Sequence, residues 1–250
     1  MKVFQTIADW RRYRQQWKPT SLGFVPTMGA LHVGHLQLVQ RALAENEGAL
    51  VSLFVNPTQF DDPNDLKNYP RDLEGDLKLL QGVGTSAVLV PSAEEMYPLR
   101  QDSQWYRYRV QETALSGQLC GACRPGHFEG MLTVVLKLLQ IAQADRAYFG
   151  EKDYQQLILV QNMARDFFLP TEIVGCPIVR DQDGLAHSSR NQRLDQAARA
   201  QAVQFAQILA QGDSSISIRE RLLALGLEVD YVEDWPGRRL AAVRVAVPGG

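Results

Sequence analysis

The strongest constraint on this chain's fold is a repeated exchange between two hydrophobic periods. Short apolar runs at residues 22–26, 49–55, 87–90 and 147–149 are each separated by stretches with helical spacing. The runs are bounded by glycine and proline and are too short for helices, so they read as buried strands. The intervening segments at 35–47, 72–81, 130–143 and 154–165 carry apolar residues on one helical face. Strands linked through helices must run parallel, with the helices covering both faces of the sheet. This predicts a doubly wound, Rossmann-like α/β domain over residues 1–177. Residues 178–250 read differently: two amphipathic helices at 195–211 and 215–225 precede strands at 227–232 and 241–247, a smaller α+β domain.

A net charge of -2, with acidic and basic residues scattered, advertises neither a nucleic-acid footprint nor a membrane-surface patch. A small-molecule partner is expected instead. No apolar run approaches the roughly 18 to 20 residues of a membrane span, and residues 1–18 lack a signal-peptide core. With three thinly spread cysteines, Cys120, Cys123 and Cys176, the expected location is the cytoplasm. The C-x-x-C has no second ligand pair at zinc-site spacing and reads as two semi-buried thiols. The ending Pro248-Gly249-Gly250 resembles a linker or a cut end.

In an open parallel sheet, ligands gather at the carboxyl ends of the strands, and the first strand-to-helix turn faces that crevice. Here it reads P-T-M-G-A-L-H-V-G-H, residues 26–35, placing His32 and His35 around Gly34. Backbone N–H groups at a helix start attract anions, glycine permits close approach, and two imidazoles add donors. The pair therefore points to a phosphate site. A pair of capping or surface histidines is the alternative. No Walker motif occurs, and Gly82-Val83-Gly84 precedes a strand where a dinucleotide loop must follow one.

That turn resembles the H-x-G-H signature of the nucleotidyltransferase superfamily, which includes the class I aminoacyl-tRNA synthetases. Leu185-Ala186-His187-Ser188-Ser189-Arg190-Asn191 resembles its second phosphate-binding segment. V-N-P-T-Q-F (55–60), Y-P-R-D-L (69–73), R-P-G-H-F-E-G (124–130) and F-G-E-K-D-Y-Q-Q-L (149–157) are similar, in that order, to the pantoate:β-alanine ligases. The resemblance implies that pantoate is adenylylated by ATP with loss of pyrophosphate, and that β-alanine then displaces AMP. It implies that His32, His35, Lys152, Ser188, Ser189 and Arg190 act on the phosphates. Pro26, Met28, Gly150, Asp153 and Val179 complete the ATP site, with Asp153 at the ribose. Asn56, Gln59 and Gln156 would hold pantoate, Gln155 being the neighbour to distinguish from Gln156. Magnesium is expected on the triphosphate, with Asp76 as a protein ligand or else a solvated helical aspartate. A homodimer is also implied. At position 187 this chain has histidine where a hydrophobic residue is usual. Two other readings stand beside the ligase: a nucleotidyltransferase for a phosphorylated acceptor, which asks for more basic residues than this pocket offers, and a nucleotide-binding module without turnover.

Overall fold

The computed structural model describes residues 1–101 and 104–245. Six parallel strands, β1 (Lys2–Phe4), β2 (Leu22–Thr27), β3 (Gly48–Leu53), β4 (Ala87–Leu89), β5 (Arg146–Gly150) and β6 (Glu172–Cys176), form one sheet in the order β1-β4-β3-β2-β5-β6. The chain steps outward from β2 through β3 to β4 and then returns to add β5 on the other side of β2. This reversal leaves a crevice at the carboxyl ends of β2 and β5, where a ligand can sit.

The helices between strands are α1 (Ile7–Gln16), α2 (Val33–Glu45), α3 (Pro63–Lys67), α4 (Leu73–Gly82), α5 (Ala93–Met96), α6 (Cys120–Cys123), α7 (His127–Ala142) and α8 (Tyr154–Asp166). Alternation along the strands divides the core in two. Leu22, Phe24, Leu50, Leu89, Ala147 and Phe149 pack on one face with residues of α1, α7 and α8. Val25, Ala49, Val51, Val88 and Tyr148 pack on the other with α2 and α4. A period of two sends successive side chains to opposite faces, so both sides of the sheet are buried.

The predicted strands and helices of residues 1–177 all occur, within a few residues of their expected ends. The sequence reading omitted β1, α1 and β6. The α1 helix belongs to the core: Trp10 is fully buried and its ring N–H donates to the Ile141 carbonyl at 2.8 Å. Beyond β6, α9 (Gln196–Leu209) and α10 (Ser215–Ala224) precede an antiparallel hairpin of β7 (Glu228–Trp235) and β8 (Arg238–Arg244) around a third apolar cluster. The expected strand at 241–247 therefore starts at Arg238, and its last two positions, like Pro248-Gly249-Gly250, lie outside the described residues. No helix among the described residues is long and apolar enough to cross a membrane.

Helix α7 approaches the turn after β3 at Gly130. A methyl group there would overlap the Thr58 carbonyl and lie 2.8 Å from the Gln59 nitrogen. Gly130→Ala should therefore push the 56–60 turn away. Overpacking of this kind costs about 1–3 kcal/mol, so thermal unfolding should shift down by roughly 5 °C; an unchanged melting temperature contradicts the tight approach.

Candidate active site

The turn after β2 carries two unusual backbone angles. Gly29 has φ +80 and Ala30 has φ 49, a left-handed conformation that a non-glycine residue adopts at a cost of about 1–3 kcal/mol. A methyl group on Gly29 would also lie 2.9 Å from an Asp76 oxygen. Asp76 holds the turn in place. Its Oδ2 accepts the Ala30 N–H at 2.9 Å and its Oδ1 the Leu31 N–H at 2.7 Å. The Ala30 carbonyl in turn accepts from Ser189 Oγ at 3.1 Å. Burial shifts the Asp76 carboxyl upward, with the two backbone donors working against that shift.

This turn delivers His32 to the cap of α2. Its Nδ1 accepts the Gly34 N–H at 3.2 Å, while His35 Nδ1 accepts the His32 N–H at 3.4 Å. The arrangement is a capping box made from two imidazoles. A nitrogen that accepts carries no hydrogen, so in each neutral ring the hydrogen sits on Nε2. Burial lowers the basicity of both, to about 4 for His32 and about 3 for His35, and Lys152 adds to the effect. The rings are 4.0 Å apart, and a methyl group on Gly34 would approach His32 to 3.0 Å. The capping role and the phosphate-donor role are thus compatible, since Nδ1 performs one and Nε2–H is left for the other.

Around these rings is a cleft of about 940 Å³, open mouth included. From the first half of the chain, Pro26, Met28, His32 and His35 share it with Gly150, Lys152, Asp153 and Gln156. From the later segment, Val179, Ser188, Ser189 and Arg190 close the other side. Lys152 Nζ lies 3.3 Å from Asp153 Oδ1, and this ammonium is the main reason the Asp153 carboxyl is lowered. Ser188 Oγ accepts the Arg190 N–H at 3.3 Å, the ordinary cap of the turn Ser189–Arg193. Arg190 pairs with Asp65 at 2.8 Å, and Arg193 shares that carboxylate at 2.8 Å. Two guanidiniums on one carboxylate leave an excess of positive charge beside the cleft.

Three expected site residues lie elsewhere. Asp76 does not line the cleft; it supports the turn from beneath, is buried, and has the Asp72 carboxylate near enough to add to its upward shift. Asn56 is 1% exposed, and its amide is fully engaged: Oδ1 accepts from Tyr97 at 2.6 Å and Thr58 at 3.0 Å, and Nδ2 donates to Gln59 Oε1 and the Gly130 carbonyl. Gln59 stands on that network, outside the cleft. Its carbonyl is braced by His127 Nδ1 at 2.7 Å, and His127 meets Arg124, which pairs with Asp61. Gln155 is buried and bonds to Leu115, Gln118 and Cys120, which leaves Gln156 as the cleft glutamine. Among the described residues no three His, Cys, Asp or Glu side chains cluster as a metal site.

Sequence reasoning missed Asp65, which anchors Arg190, and Tyr69, which lines the cleft under that guanidinium at 5.7 Å. It also missed what Asp76 does. The available signal was that Asp76 and Leu80 lie one turn apart on the buried face of α4, where a carboxylate needs fixed donors.

Fold and cleft together define a nucleotide-binding α/β protein with an H-x-G-H turn at its topological switch point. The family model described as Pantoate-beta-alanine ligase matches residues 2–242, and the chain belongs to that family. Pantothenate synthetase of Legionella pneumophila (strain Corby) is 46% identical over 246 residues, covering 98% of this chain and 96% of the relative. The Coxiella burnetii (strain RSA 331) pantothenate synthetase is 46% identical over 244 residues, 98% of this chain and 93% of the relative. Among solved structures, the Francisella tularensis pantoate-beta-alanine ligase complexed with Beta-gamma ATP and Beta-alanine superposes with a TM-score of 0.92 at 37% identity, over 98% of this chain and 94% of that one. The Thermus thermophilus pantothenate synthetase gives 0.86 at 40% identity, over 99% of this chain and 100% of that one.

Asp76→Ala should destabilise the protein by about 3 kcal/mol, because it removes two hydrogen bonds to a charged acceptor and leaves buried N–H groups unpaired. Asp76→Asn, with one amide oxygen, should lose roughly half as much. Urea unfolding of the three proteins measures this; equal midpoints would show that the carboxylate does not hold the turn.

Proposed function

We propose that this chain condenses pantoate with β-alanine at the expense of ATP, forming pantothenate, AMP and pyrophosphate. The observation that carries the reading is the pair of neutral Nε2–H imidazoles at the switch point, facing Lys152 and the Ser188–Arg190 segment across one cleft. In the first step a carboxylate oxygen of pantoate bonds to the α-phosphorus of ATP, and the bond from that phosphorus to the bridging oxygen breaks, releasing pyrophosphate. A carboxylate is already a nucleophile, so the protein's task is alignment and charge stabilisation. His32 and His35 donate through Nε2–H to the α-phosphate and the departing oxygen. Lys152, Ser188 and Arg190 hold the remaining phosphates, with Arg190 exchanging part of its hold on Asp65 for phosphate oxygens, and Ser189 joins them by giving up its bond to the Ala30 carbonyl. Gly150 and Asp153 meet the ribose, and Pro26, Met28 and Val179 border the nucleotide.

In the second step the amine of β-alanine attacks the acyl carbon of pantoyl adenylate. AMP leaves, and the nitrogen gives up its proton. Gln156 grips pantoate within the cleft, and Gln59 reaches it from the braced 56–60 turn. Asn56 acts as the support that orients Gln59. Magnesium, if carried in with ATP, would neutralise triphosphate charge; Asp76, the expected protein ligand, has each oxygen engaged by one backbone N–H of the turn. The segment from residue 178 onward forms the second domain, covering the phosphates. By the same resemblance the protein is a cytoplasmic homodimer; sedimentation giving only a monomer-sized species would remove the dimer.

Pyrophosphate release from MgATP should require pantoate and become multiple-turnover only with β-alanine. His35→Ala should lower turnover roughly a hundredfold, as loss of a preorganised donor does elsewhere. ATP binding with no pantoate-dependent release would instead support a module without turnover.

A further inference from the structure

The cleft contains a third imidazole, His187, in an arrangement opposite to that of His32 and His35. Residues 179–187 fold back on themselves. Asp181 N–H donates to the Leu185 carbonyl at 2.8 Å, His187 N–H donates to the Val179 carbonyl at 3.0 Å, and Gly184 supplies the turn at φ +89. Across this hairpin His187 Nε2 lies 3.1 Å from Asp181 Oδ1. The other Asp181 oxygen accepts from Arg199 at 2.8 Å, and Arg199 also holds Asp183 at 2.7 Å. The ring stacks on His32 at 5.9 Å with a tilt of 23°, and both line the cleft beside Ser188, Ser189 and Arg190.

Arg199 holds the Asp181 carboxyl below its usual range, so Asp181 can only accept. The hydrogen between the two side chains therefore belongs to Nε2. A neutral His187 then has a bare Nδ1, which repels a phosphate oxygen; a protonated one presents Nδ1–H and a full positive charge. His32 and His35, with Nδ1 committed to backbone N–H groups, are donors without any change of charge.

We propose that His187 is an additional ATP-binding group, whose imidazolium, oriented by Asp181, donates Nδ1–H to a triphosphate oxygen and makes ATP binding tighter as pH falls. The proton comes from solvent when ATP binds. The charged groups about His187 are Asp181 with Arg199 behind it and, around the shared cleft, Asp153, Lys152 and Arg190, while His32 stays neutral beside it. The triphosphate decides the balance. The inference rests on the ATP-dependent reading above.

The test compares the unaltered chain with His187→Leu and His187→Asn, whose amide nitrogen overlays Nδ1 and donates at every pH. The KM for MgATP is measured at about pH 6 and about pH 8.5. At the lower pH, His187→Leu should raise KM about tenfold, the scale of one charge-assisted hydrogen bond, with kcat within about twofold. At the higher pH the two should agree within about twofold. His187→Asn should recover part of the loss with no dependence on pH beyond that of the γ-phosphate, which titrates equally in all three. A KM ratio for His187→Leu that is the same at both pH values, or a change confined to kcat, overturns the proposal. Failure of the unaltered chain to consume ATP with pantoate contradicts the ligase reading itself, and this inference with it. Melting temperatures within about 2 °C show that the variants are folded.

Discussion

The site depends on the two hydrogen bonds that Asp76 accepts from Ala30 and Leu31. They hold an alanine in a left-handed conformation, and only with that turn fixed does His32 arrive at the cap of α2 with its ring against Gly34. A carboxylate buried to 4% exposure is costly unless donors satisfy it. The backbone strain and the carboxylate's burial are therefore each relieved by the other. Ser189 ties the same turn to the later phosphate-binding segment through the Ala30 carbonyl, so both halves of the cleft share one support.

The electrostatics follow from this geometry. Helix α2 begins with no acidic residue in its first turn, and two histidines take over the capping role. Because capping uses Nδ1, each ring keeps its hydrogen at Nε2, and burial keeps both neutral. The positive charge comes instead from Lys152 and Arg190 at the rim, where water can compensate it until a ligand arrives. Below about pH 6.5 an unfolded chain would protonate these histidines while the folded one resists down to about 4 and about 3, so this pair costs stability progressively as pH falls through that window. Above pH 6.5 it costs nothing.

Much of this was readable in the sequence. Four strands and their intervening helices follow from hydrophobic period, a local property, while the residues that share the cleft were picked out through resemblance to a family's motifs. What escaped was long-range or weakly patterned. Strand β1 has only three residues, β6 is a half-exposed edge containing Gly175, and α1 hides a buried Trp10 among arginines. Asn56 looked like a ligand because it follows a strand, but a residue more than forty positions away, Tyr97, claims its oxygen. Asp76 looked like a solvated helix residue or a metal ligand because its backbone donors lie 45 and 46 positions earlier. No window of sequence contains such partners.

The claim to test most directly is that His32 and His35 are neutral rings with hydrogen on Nε2. Nitrogen-15 NMR of the imidazoles, assigned with His32→Gln and His35→Gln, reports both tautomer and charge. The account predicts Nε2–H tautomers that persist unprotonated from about pH 8 to about pH 5. A Nδ1–H tautomer at either ring, or protonation near the ordinary value of about 6.5, would contradict it.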